Sequence, residues 1–506
     1  MDKRARDEIA AASDLNDGAS RRAFLGGAAA ATALAAGSGA VAAPLKAAGD
    51  LTWTPAWRLR QMIVAKQISP VEVVDHFLAR IDRFNPTLKS FKYIDAEGAR
   101  AQAKKAEAAV MRGDPLGPLH GLPTSVKEHI HVKGMPVMGL GSPSGVADHD
   151  QIGVERLRAA GAIIVGTNTM MGTSSPGPGQ YNWEAEARSP WDPSRQPGWS
   201  SSGGAASTAA GLLPFTIGSD GGGSTRLPAA ITGVIGVHPT VGRIPSFNFN
   251  PASLTLSTTV GPLARDARDA AMVMQVMAGP DGRDLIGVDE PAPDYLFNLD
   301  RGVKGLRFAW SEDFGWGKQY ELPITKRVVA VAHQAAHGFR SLGAVVEPTA
   351  EQWEDWFKSY QITERVFGAR MRAGAAGQPA PTPDEIRAAL ENRGRSHAKF
   401  RALFAKYDLL LSTTAQFTAY KVEDWNAVWT TDSPKYPQGT FAPTYTVFTH
   451  MFNWLGFPAI SVPCGFLDGL PVGLQIVGPP EREALVMRAA AAFTRAFPRN
   501  ERPRVS

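Results

Sequence analysis

The chain has 506 residues, 44% hydrophobic and 20% charged, which fits a globular protein and excludes a disordered or fibrous one. A net charge of +5 over that length is no nucleic-acid footprint, since the densest basic stretch, Lys104-Lys105, sits among alanines and acids at helical spacing. One cysteine, Cys464, excludes an intrachain disulfide and a cysteine-based metal cluster, and its apolar neighbours make it a buried small hydrophobe.

Residues 1–42 read as an address. Ser20-Arg21-Arg22-Ala23-Phe24-Leu25 leads into an Ala/Gly run and then Ala40-Val41-Ala42, a small-x-small site cut after Ala42. The pattern is similar to a twin-arginine signal. A membrane anchor needs about 20 strongly apolar residues, and glycines interrupt this run. The expectation is one domain, 43–506, passed to the twin-arginine export machinery and released to the periplasm or beyond, without stable membrane insertion.

Ser69-Pro70-Val71-Glu72 predicts a helix start: serine caps, proline suits the first turn and Glu72 reaches back. Val73, Val74, Phe77, Leu78 and Ile81 continue at helical spacing. A second helix covers 96–112 and ends at Gly113-Asp114-Pro115. A helical 154–160 precedes the glycine-bounded apolar run 161–166, a buried strand. The runs 408–412, 459–462 and 472–477 read the same way, and an alanine-rich helix follows over 483–497. Helices alternating with buried strands give an α/β class. Residues 280–440 carry fewer signals, and no internal repeat is present.

Two stretches are too rich in glycine and serine for ordinary core: Gly198-Trp199-Ser200-Ser201-Ser202-Gly203-Gly204 and Asp220-Gly221-Gly222-Gly223-Ser224-Thr225-Arg226. A small-residue helix over 205–213 and a strand to about Gly218 lie between, so both loops can return to one sheet edge. Their tight apolar flanks argue against linkers. Three glycines before Ser224 would aim backbone N–H groups beside its hydroxyl, as in an oxyanion hole. A serine nucleophile needs a base. Lys127 follows the apolar lead-in Gly121-Leu122-Pro123-Thr124-Ser125-Val126, and desolvation favours the neutral form of a lysine, which can then act as a base. Spacing alone leaves a salt-bridged structural lysine open.

Together these segments resemble the amidase signature family: a lysine after Gly-hydrophobic-Pro, a glycine/serine loop, then Asp-x-Gly-Gly-Ser-x-Arg-x-Pro. Lys127 falls on the catalytic lysine, Ser200 on the serine preceded by a cis peptide bond, and Ser224 on the nucleophile, with the family's spacing between the serines. Gly117-Pro118-Leu119-His120-Gly121, Gly134-Met135-Pro136, Gly236-Val237-His238-Pro239-Thr240 and the runs 456–463 and 469–475 match too, so the resemblance covers most of 55–500. It implies a single large α/β/α domain whose mixed central sheet is covered by helices on both faces. It also implies an oxyanion hole at Gly221, Gly222 and Gly223, and hydrolysis of a small-molecule amide without metal or organic cofactor. Two departures stand out. Trp199 occupies a usual glycine position, and Gly166-Thr167-Asn168-Thr169-Met170-Met171-Gly172 lacks the usual lysine and glutamate.

Ser201, Asp220 and Arg226 are expected to order the loops or touch substrate; an arginine beside a glycine turn more often holds carbonyls. Ser396-His397-Ala398-Lys399 fits S-x-x-K, but the partner motifs of that chemistry are absent. His129 and His131 alternate like a strand pair without a third metal ligand, and His333 and His337 flank Gln334 where a zinc-protease helix has glutamate. Trp425, Trp429, Tyr445, Phe448 and Trp454 are expected to line an acyl pocket for bulky apolar or aromatic groups. The alternatives are a glutaminase-like amidotransferase subunit, against which export argues, and an inactive binding protein, against which the intact Lys127/Ser200/Ser224 set argues. No heptad or interface pattern sets an oligomeric state.

Overall fold

A computed structural model describes residues 50–137, 145–171, 185–246, 257–367, 379–422 and 445–506. The export-like N-terminus, Gly172, Trp425 and Trp429 lie outside them. In chain order the first half runs α1 (Ala56–Val64), α2 (Pro70–Leu88), β1 (Phe91–Ile94), α3 (Ala96–Arg112), β2 (Pro123–Lys127), β3 (Pro136–Val137), β4 (Gly145–Val146), α4 (Ile152–Ala159) and β5 (Ile163–Asn168). The region of the two glycine loops follows with α5 (Ser202–Ala209), β6 (Phe215–Asp220), α6 (Arg226–Thr232), β7 (Ile235–His238) and β8 (Thr259–Ala264). Next come α7 (Ala267–Met277), β9 (Arg307–Trp310), α8 (Thr325–Ser341), β10 (Val345–Pro348), α9 (Phe357–Phe367) and α10 (Pro383–Phe404). The last elements are β11 (Leu409–Thr413), α11 (His450–Leu455), β12 (Ala459–Leu467), β13 (Leu470–Val477) and α12 (Glu483–Ala496).

Eleven strands form one mixed sheet in the order β1-β5-β2-β6-β8-β7-β12-β13-β11-β9-β10. β2 lies parallel to β5 and β6, whereas β8 is antiparallel to β6, with Gly218 opposite Gly261. Every residue of β2, β5, β6, β7, β8, β11 and β13 is buried, which requires cover on both faces of the sheet. This is the α/β/α arrangement with a mixed central sheet that the motifs imply.

The local signals explain the elements. Ser69 accepts from the Glu72 N–H at 3.0 Å while Glu72 accepts from the Ser69 N–H at 2.8 Å, the reciprocal cap expected from the sequence. β5 begins two residues after its expected start because Gly161 (φ +87°) makes the turn into it. α5 starts earlier than expected, at Ser202. Its Gly203 has no room for a Cβ, which would stand 2.4 Å from the Ser90 carbonyl oxygen, so the glycine is a packing requirement rather than a helix breaker. β6 runs two residues past Gly218, to Asp220. His129 and His131 are not a strand pair: the chain turns after Lys127, as the Ile130 N–H returns to the Lys127 carbonyl at 2.8 Å.

Candidate active site

Lys127 and Asp220 end two adjacent parallel strands, β2 and β6, so their side chains meet at the same sheet edge, where open α/β sheets bind ligands. Lys127 is 1% exposed. Its Nζ donates to Ser200 Oγ at 2.6 Å, to Ser219 Oγ at 3.0 Å and to the Ser219 carbonyl at 3.4 Å. The lysine and Ser200, separated by the whole β3–β5 region in sequence, are thus brought together. No sequence signal marks Ser219; only the register of β6 against β2 reveals it.

All peptide bonds among the described residues are trans, so Trp199–Ser200 lacks the cis bond implied by the resemblance. The chain direction is set instead at Gly198 (φ +121°), where a Cβ would stand 2.5 Å from Pro228 Cα. The Trp199 ring, in place of the usual glycine, packs on Tyr445 with centroids 4.9 Å apart. Ser201 ties the two loops together. Its Oγ donates to the Ser219 carbonyl at 3.1 Å, and its N–H donates to the Ser224 carbonyl at 3.2 Å. Ser201 is therefore a loop-ordering residue. Ser224 is 4% exposed and beside Ser200 through this tie, but among the described residues no hydrogen bond joins the two hydroxyls.

The second loop is folded around a charge. Asp220 is fully buried and accepts from Arg226 Nε at 2.9 Å and Nη2 at 3.1 Å, from Asn453 Nδ2 at 2.8 Å and from the Gly223 N–H at 2.6 Å. Burial alone would raise its carboxyl, but Arg226 foremost, then its other partners, hold it well below the usual carboxylate range. Arg226 completes its valence on the Thr449 carbonyl (3.1 Å) and Gln475 Oε1 (2.8 Å), and is itself fully buried. It orders the loop and is not available to a substrate carboxylate.

This arrangement changes the expected oxyanion donors. The Gly223 N–H is committed to Asp220, whereas the N–H groups of Gly221, Gly222 and Ser224 have no acceptor among the described residues. Thr449 Oγ1 donates to the Gly222 carbonyl at 2.8 Å and so fixes the tilt of that peptide. His450 closes the back of the loop: a Cβ on Gly222 would stand 2.8 Å from its Cε1, and one on Gly223 would collide with Thr449. Burial, the largest cause, pushes both His450 and His238 down to about 3, so both rings stay neutral beside Arg226. Thr449, His450, Asn453 and Gln475 come from more than 200 residues downstream, and no local pattern marks them.

The departures and discounted motifs find places too. Asn168 accepts from Ser125 Oγ at 2.6 Å, and the Met170 N–H donates to Glu128 Oε1 at 2.6 Å, so this stretch braces β2. Ser396 lies buried within α10, bonded to Asn392 Oδ1 at 3.2 Å. Burial pushes the Cys464 thiol up to about 12, which suits an inert core residue. His333 is exposed beside His337 on α8. Phe448 and Trp454 are core rather than pocket: Phe448 packs on Phe314, and Trp454 Nε1 donates to Thr363 Oγ1 at 3.2 Å. Tyr445 is core as well: it is 1% exposed and packs on Trp199 and on the equally buried Phe417 (4.5 Å), which stacks on Tyr420.

Residues 72–350 and 350–487 match the Amidase family. A glutamyl-tRNA(Gln) amidotransferase subunit of Symbiobacterium thermophilum is 32% identical over 483 residues, spanning 88% of this chain and 97% of the relative. An acylamidase of Rhodococcus erythropolis is 30% identical over 475 residues, spanning 89% and 96%. The peptide amidase of Stenotrophomonas maltophilia has the same fold, with a TM-score of 0.74 and 25% identity over 90% of this chain and 99% of that one. The chain belongs to the amidase signature family, whose enzymes hydrolyse amide C–N bonds.

Two outcomes follow from the buried charges. Arg226→Met strands the Asp220 carboxylate, so chemical denaturation should show a loss of about 3–5 kcal/mol; a loss under about 1 kcal/mol would contradict the role given to the pair. His238 and His450 bind no proton when folded until about pH 3, but unfolded they bind one near pH 6.5. The unfolded state then holds more protons, so stability falls as pH drops through that window. The thermal midpoint should decline from about pH 6.5 downward, less steeply in His450→Gln; an identical slope in the variant would contradict the assignment.

Proposed function

We propose that the protein is an exported amidohydrolase in which Ser224 is the nucleophile, Ser200 the proton relay and Lys127 the base. The observation that carries this is the 2.6 Å hydrogen bond between a buried lysine and Ser200, beside a loop that presents Ser224. Neutral Lys127 takes the Ser200 proton as Ser200 takes that of Ser224, and Ser224 Oγ attacks the amide carbonyl carbon. The hydroxyl-to-hydroxyl link closes on substrate binding, as catalytic hydrogen bonds in apo sites commonly do. The N–H groups of Gly221 and Gly222, with that of Ser224 in place of Gly223, receive the oxyanion. The relay returns the proton to the leaving amine, and water then cleaves the acyl-enzyme.

The partly buried rings of Trp199, next to Ser200 in the chain, and Tyr420, both resting on the buried cluster of Phe417 and Tyr445, support amides with a bulky apolar or aromatic acyl group. The acylamidase relative supports hydrolysis of an acyl amide. The amidotransferase relatives favour a second reading, a glutaminase-like subunit; the export-like N-terminus disfavours it.

An aromatic acyl amide, acetamide and glutamine offered to the mature protein separate these readings. Turnover of the first alone is expected; release of ammonia from glutamine alone, or cleavage of acetamide alone, would overturn the substrate class. Because the neutral lysine is the reactive form, kcat/KM should climb from acid to mildly alkaline pH, and a flat profile would contradict Lys127 as base. Thr449→Val removes the hydroxyl that tilts Gly222; it should lower kcat by about 10-fold or more while leaving KM nearly unchanged, because the oxyanion forms only after binding.

A further inference from the structure

The helix α10 packs one face inward: Ala389, Asn392, Ser396, Phe400 and Leu403 are buried, and Asn392 Nδ2 donates to Ser359 Oγ of α9 at 2.9 Å. Its flank carries a different stripe. Pro383, Ile386, Leu390, Gly394 and His397 follow one another at helical spacing, and two shallow cavities of ≈ 610 Å³ and ≈ 410 Å³ meet along it at Leu390. Leu390 is 42% exposed. No Cβ contact would arise at Gly394, which leaves a notch for an opposing side chain.

The charges beside this stripe alternate along the helix: Asp384, Arg387, Glu391 and Arg395, all exposed. Arg387 donates to Asp384 at 3.0 Å and Arg395 donates to Glu354 at 3.1 and 3.2 Å, whereas Glu391 stands 4.0 Å from both arginines. A parallel pairing about a two-fold axis along the helices would put the two charged rows on opposite sides of the seam, where they cannot meet. An antiparallel pairing about Leu390 does the reverse. It places Leu390 on Leu390, Ile386 in the notch at Gly394 and Arg387 against Glu391. Because a two-fold axis preserves the solvent side of each helix, the charged rows meet on the same side.

We propose that this flank of α10 is a two-fold interface between two copies of the chain. The stripe from Pro383 to His397 is about 21 Å long. One helix pair of that length falls below the roughly 800 Å² per partner of a stable interface, so the dimer is weak, with a dissociation constant on the order of micromolar. The pairing uses no residue of the catalytic site and stands independently of the proposed activity.

Sedimentation velocity of the mature protein from about 1 to 100 µM tests this. A monomer–dimer equilibrium is expected, abolished by Leu390→Asp with amide hydrolysis unchanged. Arg387→Glu and Glu391→Arg should each weaken the dimer by about 10-fold or more, since each puts two like-charge contacts across the axis, and the double variant should regain it. A strictly monomeric wild type, or a dimer that survives Leu390→Asp, overturns the proposal. Leu390→Cys adds a control, because Cys464 is buried. Maleimide should label the introduced thiol in dilute monomer and slow as the dimer forms; a thiol protected at every concentration means that the chain's own residues cover the stripe, and also overturns it.

Discussion

The buried ion pair between Asp220 and Arg226 is the interaction on which the site depends. A carboxylate removed from water must find several partners or unfold its surroundings. Asp220 finds them in Arg226, Asn453 and the Gly223 N–H, and Arg226 in turn reaches Thr449 and Gln475. The loop from 220 to 226 has little choice once these bonds form. Gly223 turns its N–H toward the carboxylate, and the N–H groups of Gly222 and Ser224 on either side of it have no acceptor among the described residues. The pair also links β6 to α11 and β13, elements far apart in sequence.

The lysine is held by different means. β2 and β6 run parallel and end together, so Lys127 arrives beside the loop from its own strand. Two hydroxyls and a carbonyl position its Nζ. Trp199 modifies the same region. Its peptide bond is trans, and its ring packs on a buried aromatic cluster of Tyr445 and Phe417 that continues to Tyr420. The altered position therefore packs into the core beside the glycine loops while Lys127 still reaches Ser200.

Much of this was legible in the sequence because it is local. The cap at Ser69, the helix 96–112, the buried strands and the two glycine loops each depend on neighbours a few residues away. The pairing of Lys127 with Ser200 was legible only through the family motif. What escaped was non-local. Nothing near Thr449, His450 or Asn453 announces that they support a loop more than 200 residues upstream. The commitment of Gly223 to Asp220 could not be foreseen either, since three adjacent glycines look alike until the carboxylate beneath them is placed. Tyr445, Phe448 and Trp454 misled as pocket candidates because aromatic residues serve core and cleft equally well.

The most direct test of the account is fluorophosphonate labelling of the purified protein, followed by intact mass and peptide mapping, beside Ser224→Ala, Ser200→Ala and Lys127→Ala. The account predicts a single adduct on Ser224, absent in Ser224→Ala and strongly slowed in the other two. An adduct on another serine, or a rate on Ser224 that Lys127→Ala leaves unchanged, would contradict it.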